Sequence, residues 1–138
     1  MKRWKQEIRG FGGLDYVVFK NVPMRDSKWG EVIDLNPELM EKSVAEALIS
    51  KRVPLRGLEV KFLRKTLGLS LEKFANALNI SDSTVFKWEA KPRVRLHSIN
   101  EAVVRAFFAE QLEVTLPGKL SVLIGTDRAP NELVLKAS

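Results

Sequence analysis

Residues 71–89, "LEKFANALNISDSTVFKWE", contain two short amphipathic helices with a turn of about three residues between them. Phe74, Ala75 and Leu78 recur at helical spacing in the first helix. Val85 and Trp88 do so in the second, where they would face the core. Residues that suit helix ends stand at the borders: Ser70, Asn79 and Ser81. The spacing predicts a helix-turn-helix.

The outward face of the second helix is polar or cationic, apart from one phenylalanine. A recognition helix reads base edges in the major groove from such a face. The residues predicted to read bases are Asp82, Ser83, Phe86 and Lys87. Phe86 either packs on a thymine methyl group or is buried against the basic loop that follows; both alternatives remain open.

Phosphate contacts are expected at the helix N-termini and in the basic loop "KPRVRLHS" (91–98). Arg93 and Arg95 flank Val94 in this loop, so both can point the same way. The residues predicted to contact phosphate are Ser70, Lys73, Ser81, Thr84, Lys91, Arg93 and Arg95.

The net charge of +6 lies entirely in the middle of the chain. Residues 51–110 contain 12 Lys+Arg and 6 Asp+Glu, whereas the segments on either side are balanced. A basic block between neutral ones favours a polyanionic partner for that block. A lysine-rich surface that serves only solubility is an equal alternative on charge alone.

Composition excludes several classes of site. The chain has no cysteine, which rules out disulfides, thiolate catalysis and cysteine-based zinc sites, and His97 is its one histidine. The acids near the predicted strands have no recognisable nucleophile or base beside them. We therefore expect no enzyme, no cofactor and no bound metal.

No apolar stretch approaches the roughly 18 residues of a membrane span. The basic start "MKRWKQEIRG" has no apolar run behind it, unlike a signal peptide. A cytoplasmic protein without membrane contact is expected.

Three segments are predicted along the chain. Residues 1–52 form a small protein-interaction segment, residues 53–112 the helix-turn-helix domain, and residues 113–138 a C-terminal segment of short strands that can dimerise. The expected fold class is mainly α, a five-helix helix-turn-helix domain flanked by short strands, and α+β overall.

The individual elements follow from periodicity and from helix-end residues. The first nine residues are read as a tail or short helix anchored by Trp4. Strands are predicted over 14–24, 31–35, 119–125 and 131–137, and helices over 38–52, 56–68, 71–79, 82–90 and 99–112. Ser98 is the expected N-cap of the last helix.

The stretch "LRKTLGLSLEKFANALNISDSTVFKWE" (63–89) resembles the Cro/CI-type (Xre) helix-turn-helix family. The resemblance covers about residues 55–112 and is carried by Ala75, Thr84, Val85, Trp88 and Glu89 in the family's characteristic places. It implies DNA binding by the second motif helix. One position departs from the pattern: a phosphate-contacting glutamine of the family is Leu71 here, and Ser70 or Lys73 is expected to replace it.

The upstream sequence "YVVFKNVPMRDSKWGEVID" (16–34), followed by a helix and "VPLRGLEVKFLRKTLGLS" (53–70), resembles antitoxins of the MqsA type. That resemblance implies an N-terminal zinc domain with two cysteine pairs, none of which is present here. The metal would have been lost, with Asp26 and Trp29 where the second pair lies and Trp29 plugging the former site.

These observations predict a transcriptional repressor that binds a palindromic operator in double-stranded DNA as a homodimer. The second resemblance implies the antitoxin of a type II toxin–antitoxin pair, with a cognate toxin as partner and its own operon as target. Two alternatives stay open: a free-standing regulator of a phage or mobile element without a toxin, and a protein-interaction module that does not bind DNA.

Overall fold

The computed structural model describes residues 2–116, 118 and 130–137, with the backbone alone for residues 2–5. The described residues form two compact units. One unit contains the residues up to Val44 together with the C-terminal residues from Pro130, and the other begins at Ala45. The boundary therefore falls inside the first helix.

The first unit is built around one long central strand. Strand β2 (Val17–Ser27) pairs antiparallel with β1 (Lys2–Arg9) along one edge, with Arg9 opposite Val18. The prediction of a tail or helix over the first nine residues is wrong. The strand carries many charges, as edge strands often do, and its pairing partner lies further along the chain where the local pattern cannot show it.

Two shorter strands share the other edge of β2. Strand β3 (Gly30–Ile33) pairs antiparallel with its C-terminal part, and β4 (Leu133–Lys136) pairs parallel with its N-terminal part. Residues 113–138, assigned from sequence to a C-terminal segment, thus contribute β4 to a sheet with the N-terminal strands. The strand predicted over 119–125 lies outside the described residues.

The predicted mainly α fold with short flanking strands is wrong. The described residues contain five helices and a four-stranded mixed sheet, and β1 and β2 are 8 and 11 residues long. The fold is α+β, because the five helices follow one another along the chain and the sheet is built from strands before and after them. Val17, Val18 and Phe19 of β2 are all buried, so both faces of the sheet are covered there.

The five predicted helices are present, with ends that differ by a few residues. They are α1 (Pro37–Ser50), α2 (Gly57–Thr66), α3 (Leu71–Leu78), α4 (Asp82–Glu89) and α5 (Ser98–Leu112). The N-cap of α5 is His97 and not Ser98, since the His97 Nδ1 accepts a hydrogen bond from the Ile99 N–H at 3.4 Å.

The core of the second unit joins α3 to α5 through aromatic rings. Phe74 and Phe108 are completely buried, and their ring centroids lie 5.2 Å apart. Phe107 packs on Phe74 at 5.6 Å. Val85 of α4 is also completely buried. This packing fixes the helices on whose outer surface the predicted DNA-contacting residues lie.

Candidate nucleic-acid interface

The chain between α3 and α4 is held by caps and by a left-handed residue. The Ser70 Oγ accepts a hydrogen bond from the Lys73 N–H at 3.1 Å, and Asn79 ends α3 with φ 57° and ψ 43°. The Ser81 Oγ then accepts a hydrogen bond from the Thr84 N–H at 3.3 Å. The three predicted helix-end roles are confirmed, and they satisfy backbone groups that a helix end leaves unpaired.

Helix α4 has one buried and one exposed face. Val85 is completely buried, and Thr84, Trp88 and Glu89 are half-buried beside it. The four residues predicted to read bases all lie on the exposed face: Asp82, Ser83, Phe86 and Lys87. Their positions along the helix give one continuous outward arc from the N-terminus to the last turn.

Phe86 is the large apolar side chain of this arc, and 61% of its surface is exposed. It lines a shallow surface groove together with Lys61 and Lys65 of α2, and with Leu71 and Ala90. The pocket beside the basic loop is lined by other residues. The alternative in which Phe86 is buried against the basic loop is therefore wrong.

The basic loop has a fixed backbone. The Gly57 and Leu58 N–H groups at the start of α2 donate hydrogen bonds to the carbonyls of Val94 and Pro92, at 3.3 and 3.1 Å. The Leu96 N–H donates to the Leu55 carbonyl at 2.9 Å. The loop thus satisfies N–H groups that α2 leaves free, and it presents Lys91 and Arg93 as exposed side chains.

Gly57 allows the C-terminal end of α4 to approach the start of α2. A Cβ atom at this position would lie 2.0 Å from the Trp88 carbonyl oxygen and 2.8 Å from that of Lys91. Both are backbone atoms, so no side-chain rotation relieves the clash. No sequence pattern reveals the role of Gly57, because a close approach of two backbones leaves no periodic signal.

Arg95 differs from the other predicted phosphate-contacting residues. Its Nε and Nη2 donate hydrogen bonds to the two carboxylate oxygens of Glu101, at 3.0 and 2.7 Å. Glu101 is only 1% exposed, and its Oε1 also accepts a hydrogen bond from the Leu55 N–H at 2.6 Å. The guanidinium therefore anchors the basic loop to α5, whatever further contact it makes.

Three of the six acidic residues in the basic block (51–110) are held in ion pairs and do not belong to its exposed surface. Glu59, Glu89 and Glu101 are buried or half-buried, and each binds an arginine: Arg56, Arg64 and Arg95 respectively. The exposed acids left in residues 51–110 are Glu72, Asp82 and Glu110. The exposed lysines and arginines outside these pairs are Lys51, Lys61, Lys65, Lys73, Lys87, Lys91 and Arg93. The positive charge of the block is thus carried by its surface.

Lys61 and Lys65 were not among the predicted contacts. They are one helical turn apart on α2, and both border the groove that contains Phe86. Their spacing among the apolar residues of α2 was the signal that could have placed them on the outer face. Ser81 and Thr84, which were among the predicted phosphate contacts, hydrogen-bond to each other through their hydroxyl groups at 2.7 Å. Both lie at the start of α4.

Trp29 does not fill the place of a lost metal. It is 83% exposed in the turn between β2 and β3, where its N–H donates a hydrogen bond to the Ser27 Oγ at 3.1 Å. The Lys28 ammonium lies 5.1 Å from the centroid of its ring. In the described part of the chain, no group of three or more His, Asp or Glu side chains is placed to hold a metal ion.

Over the ranges that the structure describes, none of the helices has the length and apolar character needed to cross a bilayer. Comparisons of the chain with protein-family models, with curated proteins and with solved structures give no match.

Proposed function

We propose that the chain is a sequence-specific DNA-binding protein that represses transcription, with α4 as the helix that enters the major groove. The exposed arc of α4 supports this proposal most directly. It combines groups that donate and accept hydrogen bonds at Asp82 and Ser83 with the cation of Lys87. The caps at Ser70 and Ser81 and the left-handed Asn79 give the short connection that a helix-turn-helix uses.

The distribution of charge supports a polyanionic partner. A surface that served only solubility would gain from exposed acids as well as bases. Here three carboxylates are used for internal ion pairs, whereas Lys61 and Lys65 line one groove with Phe86 of α4, and Lys91 lines a pocket with Lys87. Binding to DNA through such a surface releases counterions, so that affinity falls steeply with added salt.

In this proposal the protein binds an inverted-repeat DNA site as a homodimer. Two recognition helices that enter successive major grooves stand about 34 Å apart, which places the half-site centres about 10 base pairs apart. Exposed apolar residues of α5, Ile99 and Val103, supply a surface for self-association.

The proposed setting is the cytoplasm, with the protein as the antitoxin of a type II pair that represses its own operon. This setting rests on the resemblance of residues 16–34 and 53–70 to MqsA-type antitoxins. A free-standing regulator with the same DNA chemistry and no toxin is the alternative. A small ribonuclease-like protein encoded next to this chain, and bound by it, would favour the antitoxin.

Selection of DNA from a random duplex pool by the full chain tests DNA binding without a known operator. A single inverted-repeat consensus should emerge, and its affinity should fall linearly with salt on a double-logarithmic plot. A scrambled duplex of the same composition is the control. A pool that stays random, with no salt-dependent retention, would exclude the proposal and favour a protein-interaction module.

A further inference from the structure

An exposed phenylalanine on a polar helix face needs an explanation. Phe86 exposes 61% of its surface on α4, one helical turn after Asp82 and one turn before Ala90, which caps the end of the helix. A side chain of this size costs solubility at such a position, and it is not one of the buried core residues. Core packing is already provided by Val85, which is completely buried one residue earlier.

Phe86 is also part of a larger apolar surface with a basic border. Leu71 at the start of α3 and Ala90 at the end of α4 continue the apolar surface of the groove. Lys61 and Lys65 also line this groove, as does the Arg64–Glu89 ion pair. The two lysines suit the phosphates that flank a base step, while the apolar side chains of Phe86 and Leu71 suit a group that forms no hydrogen bonds.

We propose that Phe86 reads the C5-methyl group of a pyrimidine in each half-site, which in unmodified DNA means a thymine. The proposal rests on the proposed DNA binding by α4. A phenyl ring neither donates nor accepts conventional hydrogen bonds, so it cannot distinguish bases by the donor and acceptor pattern of the major groove. The methyl group of thymine is the apolar feature of that groove. 5-Methylcytosine presents the same group.

The effect of one methyl group is measurable. Burial of one methyl group on binding should raise the affinity for DNA about fourfold. A symmetric dimer makes the contact twice. With additive free-energy contributions from the two half-sites, removal of both methyl groups should weaken binding by about 15-fold. The selected operator should contain a thymine at the same place in both half-sites, opposite the middle of α4.

The test replaces each thymine of the selected operator in turn by deoxyuridine, which removes only the methyl group. With the full chain, one symmetric pair of positions should weaken binding by about 15-fold. At that pair, a duplex with 5-methylcytosine should bind about 15-fold tighter than one with cytosine. Both comparisons keep the base pairing constant and vary only the methyl group.

Phe86→Ala should abolish both methyl effects, while Phe86→Leu should retain part of them. Val94→Ala is the matched control, because it removes an apolar side chain that is 57% exposed in the basic loop. It should leave both methyl effects in place. Circular dichroism spectra and melting temperatures of the three variants should match those of the parent chain, since both positions are exposed.

The outcomes separate this inference from the proposed function. Failure to select any DNA overturns the proposed function and this inference with it. Selected DNA that binds equally well with thymine and deoxyuridine at every position overturns the inference alone. The same holds for a methyl effect that survives in Phe86→Ala. The groove around Phe86 would then be assigned to a protein partner.

Discussion

Arg64 of α2 and Glu89 at the end of α4 form a two-point ion pair beneath the exposed surface. The Arg64 Nε and Nη2 donate hydrogen bonds to the Glu89 Oε2 and Oε1, at 2.7 and 2.8 Å, and Nη1 donates to the Leu69 carbonyl at 2.8 Å. The hydrogen bonds to Glu89 raise the pKa of the Arg64 guanidinium above its ordinary value. The Arg64 guanidinium therefore stays positively charged. Its ion pair with Glu89 orients α4 relative to α2.

Replacing Arg64 by Met should lower the free energy of unfolding by about 3 kcal/mol. The change leaves the half-buried Glu89 carboxylate without its cation and the Leu69 carbonyl without its donor. The double variant Arg64→Met/Glu89→Leu should recover part of that loss, because it removes the unpaired charge. Urea unfolding measures both.

The exposed pair of Arg9 and Glu132, with an Nη1–Oε2 distance of 2.6 Å, provides the control. Arg9→Met should leave the unfolding curve almost unchanged, because water solvates both charges. Equal destabilisation by Arg64→Met and Arg9→Met would contradict the structural importance of the buried pair.

Gly57→Ala should destabilise the chain by about 3 kcal/mol, against the usual trend of glycine-to-alanine changes in helices. The added Cβ would lie 2.0 Å from the Trp88 carbonyl oxygen, so α4 or the basic loop has to move. Gly118→Ala is the control, since its added Cβ meets nothing within 4 Å. Thermal unfolding should show a lower melting temperature for Gly57→Ala only.

Arg105→Met should cost about 2–4 kcal/mol of stability. The Arg105 guanidinium is buried and donates hydrogen bonds to the Leu48, Ile49 and Val53 carbonyls, the closest at 2.7 Å. These carbonyls belong to the end of α1 and the residues after it. The Leu48 and Ile49 carbonyls also accept hydrogen bonds from the Val53 and Arg52 N–H groups, so Arg105 adds a further donor at the end of the helix. Arg105→Lys should not restore the loss, because a single ammonium cannot span the carbonyls as the guanidinium fork does. Full recovery in the Lys variant would show that charge alone matters.

Local patterns were sufficient for the helices and insufficient for the sheet. Phe74, Ala75 and Leu78 repeat within one helix, and the caps Ser70 and Ser81 lie next to the turns that they close, so short-range information located α3 and α4. Strand β1 has few apolar residues and is stabilised by pairing with β2, and β4 comes from the other end of the chain. Such long-range pairing is not encoded in any short window.

The same difference applies to the candidate interface. Helical periodicity placed Asp82, Ser83, Phe86 and Lys87 on one exposed face of α4, as the structure has them. It could not show that Arg95 binds Glu101, because a loop residue and a helix residue meet only after the loop has folded back. Nor could it show the close approach that requires Gly57.

Self-association should depend on α5. Ile99 and Val103 are 60% and 49% exposed on neighbouring turns of this helix. Val103→Lys should raise the dimer dissociation constant at least about tenfold, since it would bury a charge in the contact. Val134→Lys on β4, where the parent residue is 45% exposed, tests the C-terminal segment that is also predicted from the sequence to dimerise. Sedimentation equilibrium measures both, and a dimer weakened only by the β4 variant would move the interface to the sheet.

Replacement of Lys87 and replacement of Arg93 should affect DNA binding in different ways. Both are exposed, but Lys87 lies on the arc of α4 and Arg93 in the basic loop. Lys87→Ala should cost about 1–3 kcal/mol on the selected operator and relax the preference at one base pair of each half-site. Arg93→Ala should weaken operator and scrambled DNA alike, and should reduce the salt slope by roughly one unit for each phosphate contact removed.

Affinities of both variants for both duplexes, measured at several salt concentrations, separate the two roles. Lys42→Ala is the matched control, because Lys42 is an exposed lysine of α1 outside the basic block. It should leave operator affinity unchanged. If Lys87→Ala weakens operator and scrambled DNA equally, Lys87 contacts phosphate and does not read a base. If it weakens neither duplex while the parent chain binds its operator, then α4 is not the helix that enters the groove, and the exposed lysines of α2 and of the basic loop must carry the contact.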